Sequence, residues 1–410
     1  MSMKNYVIVG GGVASVAAIE GIRSVDKSGK IYLISGEKKP TYCRPLISYY
    51  LQGLTDFEKM KYRPDGFYAE NNAELIFDKA ESIDKDKKTV KVGDKTIKYD
   101  KLLVATGSTP FVPPFNGLNT VEKKFSFMTE DDADAIDKAI DKNSRVLIIG
   151  AGLIGLKCAE GIAERVKEIT VVDLATRVLS SILDDECAKY MQNVLEEHGV
   201  SFILGDSVSA FDKNTATLAS GRTVDFDVLI LAVGVRADIS LVKNAGGNIN
   251  RGIIVNDKMQ TSIPDVYAAG DCAEGFDASI NSNRVIAILP SAYMQGYTAG
   301  VNMAGGNKSL GNEFPLNAIG FYGLHSLTAG AYTGETYEEK TEKGIKRLFF
   351  DGDNLVGFIL IGDINGAGIY TSLIKEKTKL TDEDKEKLKK SPTLAIFNSE
   401  IRSKKLGGVV

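Results

Sequence analysis

Tryptophan is absent from this 410-residue chain, and histidine occurs only twice, at His198 and His325. So few imidazoles leave no basis for histidine acid–base catalysis or a histidine-rich metal site. The four cysteines, Cys43, Cys158, Cys187 and Cys272, lie far apart. None form C-x-x-C and none have the spacing of zinc or iron–sulfur ligands, so no metal site is expected. Their scatter fits a reduced, cytoplasmic protein. Excess basic charge is missing too. The 50 Lys and Arg against 54 Asp and Glu give a net charge of -4, which argues against nucleic acid as a partner. The uncharged stretches Val285–Asn307 and Phe314–Gly334 both contain Pro, Asn and several Gly. Neither reads as a membrane span, which needs ~20 predominantly apolar residues. The opening MSMKNYVIVGGG runs straight into a strand and a glycine turn. It lacks the pattern of a secretory signal, and none is expected.

What is present is a repeat. Residues 6–22 read YVIVGGGVASVAAIEGI and residues 146–162 read VLIIGAGLIGLKCAEGI. Shifted by 140 positions, Gly10 falls on Gly150, Gly12 on Gly152 and Glu20 on Glu160. Each copy is an apolar run, a glycine turn and a helical pattern. A second apolar run comes after each, IYLIS at 31–35 and ITVVD at 169–173. This is strand–turn–helix–strand, the opening of a nucleotide-binding βαβ unit. The first glycine permits the tight turn, and the second lets backbone approach a pyrophosphate. The third position needs a small residue for helix–strand packing. The helix N-terminus (Val13 and Ala14 in one copy, Leu153 and Ile154 in the other) then offers N–H groups and a positive dipole end to the phosphate. The third position is Gly155 in the second copy and Ser15 in the first, a mild departure.

In the second copy Asp173 ends the second strand, 18 residues after Gly155. A carboxylate there accepts hydrogen bonds from a ribose hydroxyl and repels a 2′-phosphate, which favours NADH over NADPH. Arg177 comes four residues later and tempers that preference. In the first copy the matching position is Ser35 and the nearest acid is Glu37. Glu37 is assigned to the other dinucleotide's ribose, with an exposed loop acid as the alternative. Two further segments, LLVATGS at 102–108 and VYAAGDCA at 266–273, run an apolar strand into a small-residue turn. Backbone there can lie against a bulky ligand. Asp271 is placed to bind a polyol hydroxyl.

On these segments the chain resembles the glutathione-reductase-like flavoproteins, the pyridine nucleotide–disulfide oxidoreductases, over roughly residues 4–308. The resemblance implies FAD in the first unit and NADH in the second. Ala105, Thr106 and Gly107 would close the FAD site, and Gly270 and Asp271 would bind the ribityl chain. Backbone around Ala80 would hold the adenine. LAVGVRAD at 231–238 resembles the strand that ends the NAD domain, with Gly234 on the dinucleotide. TYCRPLISYYLQG at 41–53 resembles a segment of NADH:rubredoxin reductases, oxygenase ferredoxin reductases and the flavin module of nitrite reductase large subunits. There Arg44, Pro45 and Ser48 would pack on FAD. The alternative is an amphipathic core helix. LVGFILIGD and AGIYTSLI at 355–363 and 367–374 resemble the rubredoxin-reductase and nitrite-reductase side.

The expected fold is α/β: two Rossmann-like dinucleotide-binding domains plus a small C-terminal α+β domain. A discontinuous FAD domain spans 1–114 and 243–310, and the NAD domain 115–242. The C-terminal domain, 311–410, holds two strands within 346–362 and a charged helical tail from Thr381 that ends in a loose KKLGGVV. The Pro-rich 109–117 suits a crossover, because proline stiffens extended chain.

The protein positions the cofactors and the flavin supplies the redox chemistry. The cysteine pair that disulfide reductases carry beside the flavin is missing. Cys43 lies nearby, as a redox centre or as packing. Oxygenase ferredoxin reductases pair a Lys after R-P-x-L-S with a Glu after I-G-L. Here those positions are Tyr49 and Lys157. Lys157 either faces the flavin and raises its potential, with Tyr49 shielding the ring, or points to solvent. Three functions are compatible with these features. The first is electron transfer from NADH through FAD to a small iron protein or an iron–sulfur subunit, by a monomer or homodimer. The second is reduction of dioxygen, peroxide or a small disulfide. The third is a flavoprotein subunit for assembly or redox sensing.

Overall fold

Apolar runs too short for helices, bounded by glycine turns, become the inner strands of two parallel sheets in a computed structural model that describes residues 3–397 and 399–406. The first sheet runs in the order Val266–Ala268, Lys101–Val104, Asn5–Val9, Lys30–Ser35, Ala73–Phe77. The second runs Val200–Leu204, Glu168–Asp173, Arg145–Ile149, Val228–Leu231, Lys124–Phe125. Every neighbouring pair in both sheets is parallel. Parallel sheets are covered on both faces, so their strands are continuously rather than alternately apolar. Val7, Ile8, Leu147 and Ile148 are accordingly fully buried.

Five helices position the site: α1 (Val13–Val25), α2 (Ile47–Leu51), α3 (Glu130–Ala139), α4 (Leu153–Ile162) and α5 (Leu289–Met303). Helices α1 and α5 pack backbone to backbone. A Cβ on Gly296 would lie 2.0 Å from the Ala14 carbonyl oxygen, and one on Gly300 2.2 Å from that of Ala18. Small residues four apart on α5 thus bring its N-terminus beside the first glycine turn.

Helix α2 packs against α3 and α4. The Tyr50 hydroxyl donates to Asp134 on α3 at 2.8 Å. Arg165 caps the Leu51 carbonyl at 2.6 Å. Gly161 on α4 leaves room for Leu51, whose Cδ2 would be 3.2 Å from a Cβ there. The Pro-rich crossover is entered through Ser108–Pro110, which pairs antiparallel with Val235–Ala237.

Internal contacts divide the chain into two units. Both parallel sheets belong to the first: Met1–Val178, Glu196–Asp277 and Ser282–Gly311. The second unit, Leu179–Leu195, Ala278–Asn281 and Asn312–Val410, reaches back into segments that the sequence pattern assigns to the dinucleotide-binding domains. An electrostatic reason is Arg347, only 14% exposed, which pairs with Asp184, Glu186 and Glu338. The second unit carries an antiparallel sheet ordered Leu316–Phe321, Leu324–Gly330, Asn354–Gly362, Gly344–Asp351, Glu335–Thr341. Helix Ala367–Glu376 covers it, with Tyr370 fully buried against Phe358. The charged helix Asp382–Lys390 starts on a Thr381–Asp384 capping box, and residues 407–410 of the tail lie outside the described residues. Among the described residues no helix is long and apolar enough to cross a membrane.

Candidate functional site

The two glycine turns have nearly the same geometry. Gly10 has φ +121° and Gly150 φ +114°, which L side chains rarely adopt. A Cβ on Gly10 would lie 2.0 Å from the Ala105 carbonyl oxygen, and one on Gly150 2.3 Å from that of Ala232. Each first glycine is therefore pinned against the neighbouring strand of its own sheet. Gly12 and Gly152 precede helices α1 and α4, and a Cβ on either would meet nothing within 4 Å. That open side is where backbone can approach a pyrophosphate at a helix N-terminus.

The first turn opens into a cavity of about 470 Å³, within the ~300–1,000 Å³ usual for organic cofactors. Gly10, Gly12, Val13 and Ala14 form one wall. Ala105, Thr106 and Gly107 form another, and Gly270 and Asp271 a third. Glu37, Arg44, Pro45 and Ala80 complete the set of expected residues on the lining. A cavity of this size with a helix N-terminus on its wall, and with Glu37 and Asp271 among its lining carboxylates, fits a dinucleotide such as FAD.

Glu37 is held by its neighbours. It accepts from the Tyr42 hydroxyl at 2.8 Å and forms an ion pair with Arg44. Arg44 also donates to the Met128 carbonyl at 3.0 Å, so it ties the R-P segment to the lead-in of α3. Asp271 is preceded by Gly270, whose φ is +81°. Burial pushes the Asp271 carboxyl up, while the Ser108 hydroxyl, 3.4 Å away, and the Arg44 guanidinium pull it down. Thr106 donates to the Asp238 carbonyl at 2.7 Å, which fixes the A-T-G turn.

Four of the residues expected at the FAD site do not line this cavity. Ser15 is fully buried and donates to the Gly10 carbonyl at 2.5 Å, so it braces the turn. Ser48 is buried within its own helical turn and faces the Pro45 carbonyl at 3.5 Å. Lys157 is ion-paired with Glu160 on the same helix, and its ammonium sits over the Tyr49 ring, 5.1 Å from the centroid. Tyr49 itself is 38% exposed. Lys157 is thus partnered by a carboxylate three residues on and by the ring expected beside it.

Cys43 is also absent from the lining, although Arg44 and Pro45 are on it. Burial pushes its thiol up, so little thiolate is present near neutrality. The Cys158, Cys187 and Cys272 thiols are buried and pushed up for the same reason. Among the described residues, no group of three or more His, Cys, Asp or Glu side chains is placed to hold a metal ion.

At the second turn Leu153, Ile154 and Gly155 form the first turn of α4. Gly155 needs to be glycine, because a Cβ there would lie 2.0 Å from the Gly150 carbonyl oxygen. Asp173 accepts from the Ala151 N–H at 2.6 Å and the Ala175 N–H at 2.7 Å, which fixes its carboxylate beside the turn. Gly234 has φ +109° and its carbonyl accepts from the Phe111 N–H at 2.9 Å.

The cavity wall also includes residues not foreseen from the sequence. Tyr42, Met128, Asp238 and Leu241 line it, as do Ile288 and Leu289 at the start of α5. Pro290, in the first turn of α5, is a helix-start signal, but no local pattern marks its direction toward the cavity.

The model of the pyridine nucleotide-disulphide oxidoreductase family matches residues 4–296. The chain belongs to that family. As a family member it is an oxidoreductase that works with FAD and NADH. It is 30% identical over 393 residues to the NADH-dependent phenylglyoxylate dehydrogenase subunit epsilon of Aromatoleum evansii, covering 92% of each chain. It is 32% identical to the nitrite reductase [NAD(P)H] of Bacillus subtilis, where the match takes in 94% of this chain but only 49% of that protein. Among solved structures, the putidaredoxin reductase–putidaredoxin complex matches with TM-score 0.86 and 23% identity, over 99% of both chains. That is a likeness of fold. This family member carries no cysteine pair of the C-x-x-x-x-C kind.

Proposed function

We propose that this flavoprotein passes electrons from NADH to a small iron protein such as a rubredoxin or ferredoxin, or to an iron–sulfur partner subunit. The observation that carries this reading is the absence of a thiol from the described cavity wall. A reductase of disulfides or peroxides that uses cysteine needs a thiolate beside the flavin. Here Cys43 is off the wall, with its thiol pushed up. The relative of matching length, named as a subunit of an NADH-dependent dehydrogenase, supports a partner that takes the electrons on.

Bound FAD would supply hydride acceptance and release of single electrons. Gly10, Gly12, Val13 and Ala14 would hold its pyrophosphate against the α1 N-terminus. Glu37 would hold the adenosine ribose, and backbone at Ala80 the adenine. Arg44, Pro45, Ala105, Thr106 and Gly107 would enclose the flavin end, and Gly270 and Asp271 the ribityl chain. Gly150, Gly152, Leu153, Ile154, Gly155 and Gly234 would hold NADH. Asp173, fixed by two backbone N–H groups, keeps a carboxylate where a 2′-phosphate would sit and so disfavours NADPH. A cytoplasmic location and a monomeric or homodimeric state belong to the same proposal.

The test is steady-state turnover of the holoenzyme with NADH and NADPH against rubredoxin, ferredoxin, dioxygen, peroxide and coenzyme A disulfide. NADH with an iron protein is expected to be the fastest pair, and Cys43→Ser is expected to keep that turnover. Preference for a small-molecule acceptor, with a loss of about tenfold or more in Cys43→Ser, would contradict the proposal.

A further inference from the structure

The turn that carries Asp271 is held from behind by one buried amide. Gln295 lies on α5, about one turn beyond Ala292 of the cavity wall, and is 1% exposed. Its Oε1 accepts from the Gly270 N–H at 2.9 Å. Gly270 itself sits in the seam between α1 and α5. A Cβ there would lie 3.3 Å from that of Ala14 and 3.7 Å from that of Ala292, both on the cavity wall. Further along the same seam, Gly296 and Gly300 lock α5 onto the backbone of α1. One side chain thus connects the helix pair beside the glycine turn to the residue that precedes the cavity carboxylate.

We propose that Gln295 is a positioning residue for the cofactor: by holding the Gly270 N–H it sets where the Asp271 carboxylate meets the ribityl chain of FAD. The inference rests on the assignment of FAD to this cavity. Gly270 needs its left-handed φ to turn the chain sharply between Ala269 and Asp271, and glycine by itself does not favour one such conformation over others. The hydrogen bond from α5 selects one. Removing the acceptor leaves the Gly270 N–H buried without this partner, a loss that costs more than an ordinary hydrogen bond because the donor is not rehydrated.

Three variants of the holoenzyme test this: Gln295→Leu, Gln295→Glu and, on the same helix, Thr298→Val. Thr298 is fully buried and its Oγ1 has no hydrogen-bond partner, so it reports on general packing of α5. The readout is the rate at which flavin fluorescence appears after dilution, together with the thermal midpoint of each holoenzyme. Gln295→Leu is expected to release flavin roughly ten- to a hundredfold faster. Gln295→Glu, which keeps an acceptor oxygen, and Thr298→Val are expected to release it near the wild-type rate. Wild-type release from Gln295→Leu would overturn the inference. So would equal acceleration in Thr298→Val, which would mean a packing effect alone. Should Gln295→Leu fail to fold, Gln295→Glu decides: retention near wild type supports the inference, and release as fast as from Asp271→Ala overturns it. Asp271→Ala also separates the two readings. If it too releases flavin at the wild-type rate, the cavity assignment has failed rather than the role of Gln295.

Discussion

Ser15 and Gly155 occupy the same place in the two repeats and meet the same carbonyl in opposite ways. Ser15 donates to the Gly10 carbonyl at 2.5 Å, whereas a Cβ on Gly155 would lie 2.0 Å from the Gly150 carbonyl oxygen. The first turn has opened enough to take a side chain and uses it as a brace. The second has closed until only hydrogen fits.

From this relationship the two sites should respond differently to alanine. Gly155→Ala must push the Gly150 carbonyl away and deform the second turn, so NADH affinity should fall about tenfold or more while flavin content stays unchanged. Ser15→Ala only removes a hydrogen bond and should cost about 1 kcal/mol of stability. NADH titration of flavin reduction and thermal unfolding of the two holoenzymes read these effects separately. Equal behaviour of the two variants would contradict the asymmetry.

Lys157 carries a second prediction. Because Glu160 neutralises it and the cavity wall excludes it, Lys157→Gln should leave the flavin midpoint potential close to wild type. A cation and a carboxylate in contact largely cancel each other's field at a distance. A potentiometric titration that found a large fall in potential would mean that Lys157 acts on the flavin despite its partner.

The pH dependence of stability should have a contribution from Asp26. Hydrogen bonds from the Gly29 and Ser28 N–H groups, and from the buried Tyr6 hydroxyl at 2.8 Å, hold its carboxyl well below the usual range. In the unfolded chain the same group titrates near ~3.9. Its stabilisation is therefore complete above that pH and is lost as pH falls toward the depressed folded value. Asp26→Asn should flatten the acid limb of the stability profile below about pH 4 and cost about 1 kcal/mol at neutrality. Denaturant titrations across that range check both statements.

The parts of the site written in local backbone requirements were legible in the sequence. The turns at Gly10 and Gly150 need glycine for φ, and their spacing of 140 residues exposes the repeat without any knowledge of the fold. The pair Lys157–Glu160 was also available, since residues three apart on a helix share a face. Tyr42, Met128 and Leu289 were not legible, because chain folding alone brings their segments to one wall. Nor was the return of Leu179–Leu195 to the second unit. The partners of Arg347 there, Asp184 and Glu186, are more than 160 positions away in the chain, with no periodicity between them.

The most direct test of electron transfer as the function is anaerobic stopped flow. The holoenzyme is mixed with NADH, flavin absorbance is followed, and reduced enzyme is then mixed in turn with rubredoxin and with dioxygen. Rapid bleaching by NADH, rapid recovery with the iron protein and slow recovery with dioxygen are the predicted results. Rapid recovery with dioxygen and none with an iron protein would contradict the account.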